Sequence, residues 1–162
     1  MKEEYLKSVQ TMDDIIKTSY ACIGGEPGEA RDWEYYRFLF HPDGKLISYE
    51  NDANGNLRPQ FLSPDEYISR IGHWMETKRT TGFYEREIGR VEERYGNIAH
   101  CISTCESFHS KEDMEANKNS YVRNVHSIQL AYYKERWWIL SMYWQRATPE
   151  FPIPEKYLQY SK

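Results

Sequence analysis

The 162 residues contain no apolar run approaching the ~20 residues that a bilayer-spanning helix requires, so no transmembrane segment is expected. The opening Met1-Lys2-Glu3-Glu4 is acidic and lacks the basic start and apolar stretch of a secretory leader, which makes a cytoplasmic location the expectation. Cysteine is scarce. Cys22, Cys101 and Cys105 are an odd set without a leader, which argues against a disulfide framework. Cys101 and Cys105 fall in one predicted strand, where four residues put them roughly 13 Å apart; a bridge needs Cα atoms within about 7 Å. Buried free thiols are therefore expected. Positive charge is not in excess either. The 21 Lys and Arg are outnumbered by 25 Asp and Glu, for a net charge of -4, and they are scattered among acids. Nucleic acid is not expected as a partner, because phosphate binding needs a clustered basic surface. The chain also lacks a P-loop, paired CxxC, HExxH, GxSxG and the dinucleotide fingerprint, which weakens nucleotide, zinc-protease and serine-hydrolase readings. Neither a cofactor nor a metal is expected, and there is no repeat or low-complexity block.

Aromatic residues are plentiful: 14 Tyr, 5 Trp and 6 Phe. Such side chains bury large areas, and Tyr and Trp add a polar tip, so this load points to a thick core or a lined cavity. The length suits one domain over 1–162, ending in an extended tail over 147–162 that carries Pro149, Pro152 and Pro154. Tyr5, Leu6, Val9, Met12, Ile15, Ile16 and Tyr20 recur at spacings of three and four, predicting one helix over 3–23 that Gly24-Gly25 stops. A shorter helix is predicted over 31–40, ended by His41-Pro42-Asp43-Gly44 and followed by a short strand over 45–49 and a polar connection over 51–56. Ser63-Pro64-Asp65-Glu66 is a capping box with Pro at the first helical position, opening a third helix that ends before Gly82.

The remainder alternates as strands: 83–94, interrupted by Gly89; 97–108; 121–133; and 136–146. The polar stretch 110–119 reads as a loop. Long strands with a glycine inside predict a bent, strongly twisted sheet. Helices first and a meander second give an α+β class.

Several strings carry a resemblance. They are Arg31-Asp32-Trp33 leading to Leu39-Phe40-His41-Pro42-Asp43-Gly44, Gly82-Phe83-Tyr84-Glu85, Gly96-Asn97-Ile98-Ala99-His100, Ser103-Thr104-Cys105-Glu106, Ser127-Ile128-Gln129-Leu130 and Arg136-Trp137-Trp138-Ile139. Over residues 3 to 158 the chain resembles the nuclear transport factor 2-like superfamily, also called SnoaL-like or cystatin-like α+β cones, and within it a bacterial group of unassigned function. The resemblance implies a cone: a strongly curved antiparallel sheet with N-terminal helices packed on its concave face over an apolar pocket. It spans ketosteroid isomerases, scytalone dehydratase, polyketide cyclases, epoxide hydrolases and pure protein-binding members, so fold alone does not assign a reaction.

A cone pocket does acid–base work when a few polar groups project into an apolar cavity that moves their pKa values toward neutrality. The catalytic candidates are His100, Glu106 and His126. His100 and Glu106 share a strand face by parity, and His126 lies on the next long strand with Ile128 and Leu130. Glu85 and Glu87 read as surface charge pairing, with Arg86 and Arg90 on the opposite face. Trp33, Tyr36 and Phe40 form an aromatic stripe that would line the cavity wall, and Trp144 is a further lining candidate. Three functions compete: a small-molecule binder with an aromatic pocket; a cofactor-independent isomerase, dehydratase or cyclase using His/Glu chemistry; and a non-catalytic dimeric scaffold. The expected ligand is an apolar or aromatic small molecule. A homodimer through the sheet is expected from the aromatic load around Trp137-Trp138.

Overall fold

A computed structural model describes residues 3–161. Two short helices stand where one was predicted: α1 (Glu3–Lys7) and α2 (Met12–Cys22). The break is a cap. Thr11 is extended and its hydroxyl accepts the Asp14 amide at 3.0 Å, which starts a new helix rather than continuing the old one. The buried stripe survives the break, with Tyr5, Met12, Ile15, Ile16 and Tyr20 on the core side. Helix α3 (Trp33–Leu39) is capped by Asp32 and runs directly into β1 (Phe40–Asn51). His41-Pro42-Asp43-Gly44 does end the helix as expected, but the turn is absorbed into the strand as a register shift against its neighbour, with the Asp43 amide donating to His41 Nδ1 at 3.1 Å.

Strand β2 (Leu57–Leu62) was not foreseen, because Pro59 masks it. It lies at the edge of the sheet, where a missing amide costs little. The Ser63 capping box forms as predicted and opens α4 (Pro64–Tyr67), which continues through a π-helical stretch (Ile68–Gly72) into α5 (His73–Thr77). Gly72 permits that wide turn to sit on Trp33, since a β-carbon there would come within 2.7 Å of the indole.

The long strands β3 (Tyr84–Tyr95), β4 (Ile98–Phe108), β5 (Val122–Tyr133) and β6 (Arg136–Arg146) form the predicted antiparallel meander. The polar loop between β4 and β5 contains a helix, α6 (Lys111–Ala116), capped by Ser110 and closed by Asn117 in the left-handed region. Its sequence, KEDMEA, has no apolar stripe, so periodicity gave no sign of it. The tail is not simply extended. It makes a 3-10 turn (Glu155–Tyr157) and a two-residue strand β7 (Tyr160–Ser161) beside β3.

The strand order is β2-β1-β6-β5-β4-β3-β7, a seven-stranded sheet that is not closed into a barrel. It is mixed rather than wholly antiparallel, because β1 meets β6 and β7 meets β3 in parallel. Helices α2 and α3 pack on one face over a core of Ile15, Ile16, Leu39, Leu46, Ile128, Leu130 and Ile139. The two tryptophans of β6 face opposite sides of the sheet, Trp137 buried and Trp138 half-buried. Trp137 belongs to the core, and Trp138 stacks on Tyr133 with the Arg136 guanidinium 3.7 Å from its ring centre. All three cysteines are free thiols. Among the described residues no helix is long and apolar enough to cross a membrane.

Candidate functional site

Strand parity and one bulge decide which side chains meet. Tyr20, from the helix layer, reaches Ser103 and His126, so these two point to the covered face of the sheet. By alternation the odd-numbered residues of β4 point that way, as do Asn124, His126 and Ile128 of β5, which pair with Cys105, Ser103 and Cys101. The even-numbered residues of β4 point the other way. His100 therefore lies on the opposite face, bonded to Ser127 at 3.0 Å. Glu106 lies there too, clamped by Arg123 at 2.6 Å and Arg86 at 3.0 Å. The predicted trio is not assembled: His126 reaches the covered face, and His100 and Glu106 do not. Parity correctly grouped His100 with Glu106. What it lacked was the antiparallel register, which pairs His126 with Ser103 and so places it on the odd face.

The carboxylate that does join His126 is Glu85, which pairs with Ser107. On β3 the register slips between Glu87 and Gly89, leaving Ile88 unpaired. This bulge turns Arg90 onto the same face as Glu87, against the expectation that they oppose each other. Arg90 is buried and grips Glu87 with two bonds of 2.9 Å, while Nη1 reaches Asp13 of α2 at 2.6 Å. What read as surface charge pairing is thus an internal ion network tying helix to sheet, with Glu85 beside it.

The inward residues of β4 are Ala99, Cys101, Ser103, Cys105 and Ser107, all small. They leave room above the sheet, and a cavity of about 790 Å³ opens there. Tyr20, Tyr36, Tyr67, Trp74, Phe83 and Trp144 line it with Leu46, Leu62, Ile71 and Met142; Glu85, Ser107, Asn124 and His126 supply polar atoms. Tyr36 and Trp144 are lining residues, as expected. Trp33 and Phe40 stand behind the wall: Trp33 donates to Glu76 at 2.7 Å and abuts Gly72, and Phe40 is the first residue of β1, packed against Tyr36.

The hydrogen bonds fix proton positions at the cavity floor. Ser103 has one proton, and it goes to the acceptor-only Glu87 at 2.6 Å. Ser103 must then accept from Tyr20 at 2.8 Å, which commits the Tyr20 proton. Tyr20 can therefore only accept from His126, whose Nδ1 lies 3.2 Å away and must carry the hydrogen. Burial pushes the His126 pKa down to about 3, so the ring is neutral and its Nε2 is a bare acceptor. Glu85 Oε1 accepts from Ser107 at 3.0 Å and from the Cys105 thiol at 3.6 Å. Burial pushes the Glu85 pKa up to about 7 despite those two bonds. Thr104 Oγ1 is the one fully buried polar side-chain atom without a partner among the described residues. Glu85 Oε2 and His126 Nε2, which have no protein partner, must therefore be reachable from the cavity.

Burial also raises the Tyr20 and Cys105 pKa values, so both stay protonated and Cys105 is no thiolate nucleophile. Among the described residues no three His, Cys, Asp or Glu side chains cluster as a metal site. The small inward alternation of β4 was the sequence signal that could have located this cavity. Tyr20 and Tyr67 were legible only as stripe residues, and Glu85 only as a strand acid.

No family model and no curated protein matches the chain by sequence. Solved structures do match. A protein of unknown function with a cystatin-like fold from Nostoc punctiforme superposes with a TM-score of 0.59 at 15% identity, over 88% of this chain and 96% of that one. An NTF2-like protein of unknown function from Pseudomonas putida gives 0.58 at 9% identity, over 83% and 82%. The chain has the NTF2-like, cystatin-like cone fold. The yeast UBP3-associated protein BRE5 shares this cone with a TM-score of 0.55 at 9% identity, over 85% of this chain and 98% of that one. Identities this low establish the cone alone and leave function to the site.

Proposed function

We propose that this cone binds an apolar or aromatic small molecule, seated between Tyr36, Tyr67 and Trp144 with a polar end on Glu85 and His126. The observation that carries the reading is the cavity of about 790 Å³ itself, in which aromatic and aliphatic side chains share the lining with polar ones that include Glu85 and His126. Because His126 Nε2 accepts, the complementary ligand group is a hydroxyl or N–H. Titration of the purified protein with 2-naphthol, followed by tryptophan fluorescence, tests this. Saturable quenching is expected, and Ser107→Phe, which fills the floor, should abolish it with the circular dichroism unchanged. Absence of saturable quenching in the wild type, or full quenching in a folded Ser107→Phe variant, contradicts the reading.

A second reading, proton-transfer catalysis, is favoured by one observation: Glu85 titrates near 7 with one oxygen open to the cavity. Such a group takes a proton from carbon beside a carbonyl and returns it at neutral pH. Neutral His126 would orient the substrate through a hydroxyl and not polarise its carbonyl. The probe, in D2O, is 6-hydroxy-2-tetralone, which carries both the ketone and a hydroxyl for His126. Catalysed exchange of its α-hydrogens, lost in Glu85→Gln, supports this reading; exchange at the buffer rate contradicts it.

A further inference from the structure

Arg79 follows α5 and lines the same cavity, with Trp74 of α5 and Phe83, the residue before β3, beside it. Its guanidinium is enclosed by three rings, with centroids 5.7 Å away for Trp74, 5.0 Å for Phe83 and 5.9 Å for Tyr121. It is also pinned by hydrogen bonds. Nε donates to the Thr81 and Gly82 carbonyls at 3.2 and 3.3 Å, and Nη2 donates to Tyr121 Oη at 3.0 Å and lies 3.4 Å from His109 Nδ1. Phe83 is held in turn by a two-way backbone bridge to Gly25. The side chain is thus positioned before any ligand arrives, which lowers the ordering cost of binding.

The Thr81 and Gly82 carbonyls and the Tyr121 hydroxyl satisfy Nε and Nη2, but no carboxylate neutralises the charge: none of the ion pairs among the described residues includes Arg79. Nη1 has no acceptor, and it is not a sealed atom, since Thr104 Oγ1 alone is buried without a partner. A fixed, half-enclosed guanidinium with a free N–H edge on an aromatic cavity is a site for a carboxylate, which it can engage by charge-assisted hydrogen bonds while the ligand's apolar body meets Trp74 and Phe83.

We propose that the cavity selects carboxylate-bearing aromatic or alicyclic molecules, with Arg79 holding the carboxylate. This rests on the proposed small-molecule reading and adds the charge of the ligand to it. The matched probes are 1-naphthylacetate and its neutral carboxamide, titrated by calorimetry into the full chain at pH 6. The carboxylate should bind about tenfold more tightly than the carboxamide. Arg79→Gln should abolish that preference without weakening the carboxamide, Arg79→Lys should retain part of it, and the exposed cavity residue Arg146 changed to Gln should leave it within about twofold. Carboxamide binding without a carboxylate preference, or a preference that survives Arg79→Gln or is lost equally in Arg146→Gln, overturns the proposal and leaves the binding reading intact. Failure of both probes to bind the wild type overturns both. Loss of carboxamide binding in Arg79→Gln marks a merely structural arginine and also overturns it.

Discussion

Two hydroxyls fix the tautomer of His126. The chain of donors runs from His126 Nδ1 to Tyr20, to Ser103 and to Glu87, and its direction is set at the acceptor-only end, where Arg90 also donates to Glu87. Removing Ser103 breaks the direction of that chain. In Ser103→Ala, Tyr20 loses its acceptor and turns its proton to His126 Nδ1, so the imidazole hydrogen moves to Nε2. Nitrogen-15 spectra of the labelled ring should show the protonated nitrogen exchanging places, with a stability loss of about 1–3 kcal/mol for the bond stripped from Glu87. A ring that keeps its hydrogen on Nδ1 would show that the relay does not set it. Arg90 is the stronger structural member. Arg90→Ala strips two bonds from the half-buried Glu87 carboxylate and one from Asp13, and urea unfolding should show a loss of about 2–4 kcal/mol. A loss under about 1 kcal/mol would mean that solvent already screens the network.

At the level of elements, the bulge at Glu87–Gly89 does two things. It brings Arg90 onto the face of Glu87, and it lets the tail approach. A β-carbon on Gly89 would overlap the Tyr157 carbonyl and come within 2.7 Å of the Leu158 backbone. Gly89→Ala must therefore lift the 3-10 turn and β7 away from β3, at a cost of about 1–3 kcal/mol. Limited proteolysis should cut the tail of the variant well before that of the wild type. Equal protection would mean that the tail does not lie against Gly89 in solution. This bulge also marks the limit of what alternation can reveal. Glycine inside a strand pattern signalled a bend. A bend of unknown register does not say which side chains change face, so Glu87 and Arg90 could not be paired from sequence. Likewise the Ser63 capping box was legible because all its partners lie within four residues, whereas β2 hid behind Pro59 and α6 behind a sequence without an apolar stripe.

At the scale of the whole molecule, the cone, its helices-first order and its long-strand meander were legible from periodicity, capping and resemblance, and the cavity floor was not. The floor depends on cross-strand register and on a helix residue, Tyr20, 83 positions from its partner Ser103, and no local pattern carries that information. The cavity leaves a mark on global stability through two groups of opposite sense. Glu85 is raised from 4.5 to about 7, so the fold prefers its protonated form. Its contribution is complete below the unfolded value and is lost as pH rises through 7. The shift corresponds to at most about 3 kcal/mol, less whatever solvent entering the cavity screens. His126 is lowered from 6.5 to about 3, so the fold prefers its neutral form. Its contribution is complete above 6.5 and is lost as pH falls toward 3. Between roughly 4.5 and 6.5 the two slopes oppose each other and stability should be nearly flat. Above that window only Glu85 titrates, and stability should fall. Urea unfolding at pH 5.5 and pH 8 tests this. Between the two, Glu85 should cost the wild type about 2 kcal/mol while His126 returns about 1.4 kcal/mol, a net loss of only about 0.6 kcal/mol before screening, whereas Glu85→Gln, which keeps the His126 contribution alone, should gain about 1.4 kcal/mol. The same gain in both proteins would mean that Glu85 ionises at its ordinary pKa and that the cavity is wetter than its aromatic lining implies.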